Sequence, residues 1–559
     1  MLLSNLNLLA TAPGGVARLR ELILTLAVQG KLVPQDPVDE PASVLLQKIR
    51  AEKDRLIAEG KIKKDKPLAV IAEEEKPFEL PVGWEWVRLG DVTNYGATVK
   101  AGALHPDTWV LDMEDIEKSS GRLLQRLLFA QRPALSDKNC FFAGDVLYGK
   151  LRPYLNKVLV ADEDGVCTTE IVPFRCYGDY VPQYFRMALS SPFFQEYVNA
   201  RSYGMKMPRL GTQDARNALI PLPPLAEQSR IVARVEELMR LCDALEAKGQ
   251  LEATQHAQLL STLLGTLTAS ATPEELAENW QRVAQHFDLL LDRPQAIDAL
   301  EQTLLQLAVR GLLVPQDPAD EPASVLLQKI RAEKDRLIAE GKIKKDKPLP
   351  PVTDEEKPFE LPVGWEWVRF GEYFFELCTG PFGSVIHKED YVEGGVPLIN
   401  PSHMIGGRIS HDPSVSVSLE MSIQLRAYRL SPGDVVLARR GEVGRYALVT
   451  EAQDGWLCGT GSFFVKLHDS CNREFFGLVL EDPDLRRHLQ GESVGSTMVN
   501  LNQRILVETS MALPPLPEQS RIVTRITQLR RLCADLRQRL AEREAVQAHL
   551  AEALVQQVA

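Results

Sequence analysis

The sequence predicts an α/β protein in which two α/β domains are joined by long antiparallel coiled-coil helices, with an internal pseudo-twofold repeat. Three observations predict it: a chain written twice, two long heptad segments, and alternating strand patterns confined to two unlike stretches. The repeat is the strongest of them. Residues 33–68 (VPQDPVDEPASVLLQKIRAEKDRLIAEGKIKKDKPL) return at 314–349 with Val38/Ala319 as the only difference, and EEKPFELPVGWEWVR at 74–88 returns at 355–369. A second motif, LPPLAEQSRIV at 222–232, returns as LPPLPEQSRIV at 513–523. The two offsets, 281 and 291, differ because the stretch between the motifs is longer in the second half: 89–221 and 370–512 barely resemble each other. Like segments suit two copies of one partner, since equal surfaces bind equally, whereas unlike segments suit two unlike ligands.

In chain order, residues 1–88 read as helical. One helix is expected over about 15–29, stopping at Gly30, and another over 41–59, stopping at Gly60. The KIKKDK run that follows reads as a solvated linker favouring the preceding helix end, with contact to DNA phosphate or an acidic partner as the alternative. Residues 89–221 carry short Val/Leu/Tyr alternations between Gly-Asp turns, as in FFAGDVLYGKLRPYLNKVLV at 141–160, and so form twisted sheet, closing with a helical patch at 181–199. Residues 222–369 open with a heptad seam, Ile231, Val235, Leu238, Cys242 and Leu245. A helix over 225–267 would be roughly 65 Å long, with Gly249 a place where it bends or breaks. Thr272-Pro273-Glu274-Glu275 caps a further helix to about 291. Residues 370–512 repeat the sheet pattern and end in a helical patch at 473–490. Residues 513–559 repeat the seam with Ile522, Ile526, Leu529, Cys533, Leu536 and Leu540.

Composition narrows the function. The 559 residues are 45% hydrophobic and 25% charged, with net charge −12, so a generic basic nucleic-acid coat is excluded and any DNA binding must be local or shared with a partner. The start, MLLSNLNLLATAPGG, lacks the basic flank of a signal peptide. No uncharged apolar run reaches membrane-spanning length, so no membrane association is expected. Eight scattered cysteines without CxxC spacing point to a reducing cytoplasm.

No catalytic constellation is expected. There is no phosphate loop and no HExxH, and nine histidines show no metal-ligand spacing. Asn400-Pro401-Ser402-His403 falls short of the amino-methyltransferase tetrapeptide. Gly491-Glu492-Ser493-Val494-Gly495 fits GxSxG, but it follows a helical patch rather than a strand, which argues against a nucleophile elbow. What remains are cation, amide and aromatic clusters on loops. In the first variable stretch these are Lys150, Arg152, Tyr154, Asn156, Lys157, Tyr203, Lys206 and Arg209. In the second they are Arg439, Arg440, Glu442, Arg445, Ser496, Thr497, Asn500, Asn502 and Gln503. Arginine and lysine suit guanine, asparagine and glutamine suit adenine, and tyrosine stacks. Local charge does not advertise DNA: 89–221 holds 15 basic and 15 acidic residues, and 370–512 holds 12 and 18.

The duplicated VPQDPxDEPASVLL and LPVGWEW entries and the two LPPLxEQSRIV exits, with 144–154 (GDVLYGKLRPY), 169–171 (TEI), 380–384 (GPFGS) and 438–445 (ARRGEVGR), make the chain resemble the specificity subunits of type I restriction–modification systems over nearly its whole length. The resemblance implies two target recognition domains, 89–221 and 370–512, that bind double-stranded DNA at a bipartite site. It implies two methyltransferase subunits docked on the shared segments and, in complexes that cut DNA, two motor–nuclease subunits. S-adenosylmethionine, ATP and Mg would then belong to those partners, none to this chain. A coiled-coil interaction scaffold without DNA recognition is the alternative.

Overall fold

A computed structural model describes residues 12–133, 138–204, 206–270, 272–345, 347–381, 385–491 and 501–558. The chain divides into two compact units, residues 1–252 with 543–559 and residues 253–542. Both mix helix and sheet.

In the first unit, helices Gly15–Val28 and Ala42–Ala58 bury Leu19, Leu22, Ile23 and Leu26, and Leu45 and Ile49, respectively. They stop at the predicted glycines, whose φ of 69° and 70° is left-handed backbone that other residues adopt only with strain. Gly30 answers a second demand: a Cβ there would lie 2.4 Å from Pro81 Cγ. In the second unit the corresponding helices are Pro294–Val309 and Ala323–Ala339.

Each variable stretch enters and leaves through one short antiparallel ladder. Glu85–Arg88 pairs with Leu219–Leu222, and Glu366–Arg369 with Ser510–Leu513, in the same register, Arg88 facing Leu219 and Arg369 facing Ser510. Between these ladders, among the described residues, the first stretch forms a five-stranded and a three-stranded sheet; the second forms two four-stranded sheets and a small two-stranded one. Most pairings are antiparallel, but Trp109–Leu111 runs parallel to Gly165–Thr168, as Val396–Ile399 does to Leu457–Cys458.

Three expectations need correction. The single patches at 181–199 and 473–490 are each two helices, Pro182–Ser190 with Pro192–Arg201, and Arg473–Glu481 with Pro483–Gly491. Proline lacks an N–H and drives its predecessor out of helical geometry, so Ser191 and Asp482 are extended and become caps, accepting from Phe194 N–H (3.4 Å) and Leu485 N–H (3.0 Å). The helix capped by Thr272 runs Pro273–Gln285 and stops short of 291. The chain turns at His286 into a separate turn, Phe287–Leu290, which buries Leu290 and Leu291. Gly249 does not interrupt its helix, which is continuous over Leu225–Ala269.

The last helix is Leu516–Val558. The heptad positions Ile231, Val235, Cys242, Ile522, Ile526, Cys533 and Leu540 are buried. In the first unit Val235 and Cys242 share a core with Ala551; in the second, Leu260, Leu264 and Leu267 share one with Cys533 and Leu540.

The repeated motifs meet each other. Glu227, in the first LPPLxEQSR, accepts from Trp84 Nε1 of GWEW (2.9 Å) and from Gln35 Nε2 of VPQDP (3.2 Å). Glu518 accepts from Trp365 Nε1 (3.0 Å) and Gln316 Nε2 (3.1 Å). Arg230 pairs with Asp39 and Arg521 with Asp320 at 2.5 and 2.7 Å. Glu227 and Glu518 are buried, and burial pushes each carboxyl above the usual carboxylate range against the pull of its indole and amide donors. Each unit therefore carries the same clasp, closed by residues some 150–200 positions apart.

Candidate nucleic-acid interface

The two variable stretches share a backbone skeleton despite their sequences. In each, a Gly-Asp turn opens a strand: Gly144-Asp145 before Val146–Gly149, and Gly433-Asp434 before Val435–Ala438. Both glycines take positive φ, 86° and 91°. Asp145 accepts from Phe142 N–H, Asp434 from Ser431 N–H, at 2.8 and 2.9 Å. The strand then pairs with two antiparallel neighbours, Val158–Val160 and Ile171–Phe174 in one case, Tyr446–Leu448 and Ser462–Leu467 in the other.

The loop after this strand is pinned at the same two points. Lys150 N–H donates to Glu170 O, and Leu210 N–H donates to Lys150 O. Arg439 N–H donates to Gly461 O, and Leu501 N–H donates to Arg439 O. A cation thus begins each loop, followed in space by the segment leading to a short helix, Thr212–Asn217 or Gln503–Glu508.

In the first loop the chain passes Arg152 in left-handed backbone (φ 48°), its N–H on Pro208 O at 2.7 Å. Arg152 and Tyr154 are exposed, and Lys150 is half-buried. Tyr203 and Arg209 exchange both backbone hydrogen bonds, at 3.1 and 2.9 Å, and Arg209 also bridges Leu151. Lys150, Arg152, Tyr203 and Arg209 are thereby brought together, and exposed Lys206 lies on the turn between Tyr203 and Arg209. Two predicted residues turn inward. Asn156 Nδ2 donates to Ser190 O (3.0 Å), and its Oδ1 accepts from Gln195 (3.2 Å). Lys157 Nζ donates to Met113 O (2.7 Å), and burial pulls its ammonium below the usual lysine value.

In the second loop Arg440 is exposed, while Arg439 is half-buried with its guanidinium 5.3 Å from the Phe463 ring centre. Burial beside Arg440 lowers the Arg439 pKa. Arg445 pairs with exposed Glu442 and donates to Pro401 O (3.4 Å), the counterpart of the Lys157 contact. Asn502 caps its helix by accepting from Ile505 N–H (2.9 Å), and Gln503 Nε2 donates to Thr379 Oγ1 (2.8 Å). Ser496, Thr497 and Asn500 lie outside the described residues, as does most of the GxSxG match.

Glu170 was missed by sequence reasoning. Its carboxylate takes Arg209 side-on, Nε at 3.2 Å and Nη2 at 3.1 Å, and this pairing raises the arginine's pKa. The two residues are 39 positions apart, and a lone glutamate after TT gave no signal beyond its place in the TEI motif. Among the described residues no group of three or more His, Cys, Asp or Glu is placed to hold a metal, and no helix is long and apolar enough to cross a membrane.

A family model described as the type I restriction modification DNA specificity domain matches residues 362–543. The chain is 38% identical over 557 residues to the type I restriction enzyme EcoAI specificity subunit of Escherichia coli, covering 97% of this chain and 93% of that protein. The EcoEI specificity subunit of the same organism is 38% identical over 558 residues, with the same coverages of 97% and 93%. A solved HsdS subunit from Thermoanaerobacter tengcongensis aligns at 22% identity over 86% of this chain and 98% of that one, with a TM-score of 0.40.

Proposed function

The chain belongs to the type I restriction enzyme specificity subunits, and from that premise we propose that it reads a bipartite double-stranded DNA target, one half-site with each variable stretch. The domains are 1–88, 89–221, 222–369, 370–512 and 513–559, the second and fourth being the readers. The observation that carries the reading is the pair of equally pinned loops, each begun by a cation, on unlike sequences entered through matched ladders. Such loops keep one backbone path while changing the side chains offered to base edges, and base edges are where sequence is read.

The duplicated clasps dock two methyltransferase subunits in pseudo-twofold fashion, and the two long helices pair as an antiparallel coiled coil that sets the unread gap. The seam positions buried on both helices support this. Methyl transfer from S-adenosylmethionine, and ATP- and Mg-dependent cleavage where motor–nuclease subunits join, belong to the partners. Those partners also supply phosphate-binding surface that a chain of net charge −12 lacks.

Co-expression of the full chain with its methyltransferase partner, followed by sequencing of modified bases, tests this. Two short half-sites separated by unread base pairs are expected. Modification or binding without sequence preference would favour the interaction scaffold.

A further inference from the structure

We propose that Arg209 reads a guanine in the half-site taken by residues 89–221, with Glu170 as the positioning residue that aims it; the inference rests on the DNA-reading role above and deepens it. A guanidinium carries five N–H donors in one rigid plane. Glu170 takes the Nε hydrogen and one on Nη2, at 3.2 and 3.1 Å. That occupies one edge. The end of the fork, Nη1 with the remaining Nη2 hydrogen, has no partner among the described residues.

Two parallel donors match guanine O6 and N7 in the major groove. Adenine presents N7 beside an amino donor, which opposes one of the two hydrogens, and the pyrimidines lack the paired acceptors. The fork is also held from behind. Arg209 exchanges backbone hydrogen bonds with Tyr203 and bridges Leu151, while Glu170 receives Lys150 N–H on its carbonyl. Both ends of the ion pair are thus anchored to the pinned loop, so less side-chain freedom is lost on meeting a base. Tyr203, 62% exposed, stands next to the fork as a face for stacking or sugar contact.

Among the described residues of the second stretch, no carboxylate stands at the position of Glu170. The carbonyl equivalent to that of Glu170 belongs to Gly461, which has no carboxylate to offer. The Glu170–Arg209 arrangement therefore points to a guanine in the first half-site.

The test uses the full chain in complex with its methyltransferase partner, on duplexes in which each base pair of the modified motif is varied singly. Arg209→Lys and Glu170→Gln should each lower discrimination for guanine at one position of one half-site, by about 5- to 150-fold for the first, the range a bidentate contact supplies, and by less for the second. Discrimination at the other half-site should be unchanged, which reports that the complex is folded. Lysine keeps the charge, so a phosphate-contacting role would leave discrimination intact. Uniform weakening on all sequences, or unaltered discrimination in both variants, overturns the assignment while leaving the bipartite reading in place. A wild-type complex without any preferred sequence overturns both.

Discussion

The clasps and the pinned loops follow opposite rules of likeness. In the clasps the side chains are the same, and so is the geometry: Trp84–Glu227 and Trp365–Glu518 differ by 0.1 Å, as do Gln35–Glu227 and Gln316–Glu518. In the loops the backbone bonds are the same and the side chains are not: Lys150 stands where Arg439 does, and Glu170 where Gly461 does. A side-chain hydrogen bond specifies residue identity, whereas a backbone one leaves it free. The clasp is therefore the part of each half that cannot vary, and the loop the part that can.

The largest expected effect tests the sameness of the clasps. Trp84→Ala and Trp365→Ala each empty a nearly buried indole site and leave a buried carboxyl short of a donor, costing about 3–5 kcal/mol. Hydrogen exchange in each unit's core should show two equal losses, each confined to its own unit. Losses differing by more than about 1 kcal/mol would break the equivalence.

A smaller effect sharpens the difference between the halves. Ser191 and Asp482 cap corresponding helices and both are buried, but Asp482 brings a carboxyl, with Oδ1 lacking a partner among the described residues. Burial, then Asp484 nearby, pushes its carboxyl up to about 6, against the pull of the Leu485 and Asp484 N–H groups and Arg310. An acid whose folded pKa lies above its unfolded value of about 3.9 binds its proton more tightly when folded. Its contribution is present at low pH and is lost as pH rises from about 4 to 6, by about 3 kcal/mol. Asp482→Ser, borrowing the other half's cap, should flatten that fall in a urea-midpoint pH series, and an unchanged slope would assign it elsewhere.

Local signals in the sequence carried most of the fold. Gly30 and Gly60 stop their helices as expected because left-handed backbone favours glycine, and Ile231, Val235 and Cys242 are buried because a heptad seam must be. The splits at Ser191 and Asp482 follow from prolines in plain sight; apolar content outweighed them in reading each patch as one helix. The clasp was legible only as a repeat, since nothing local says that Trp84 meets Glu227 across 143 residues. The loops were legible as clusters, but not which way each side chain turns. Asn156 and Lys157 look like their exposed neighbours in sequence, yet their partners, Ser190, Gln195 and Met113, lie in other elements.

The most direct measurement replaces residues 89–221 by a second copy of 370–512, joined at the identical EWVR and LPPL borders, and sequences the bases that the full complex modifies. Interchangeable readers on matched clasps predict a target made of the second half-site twice, with the first half-site gone. A folded complex that still required the original first half-site, or that lost selectivity at both ends, would contradict it.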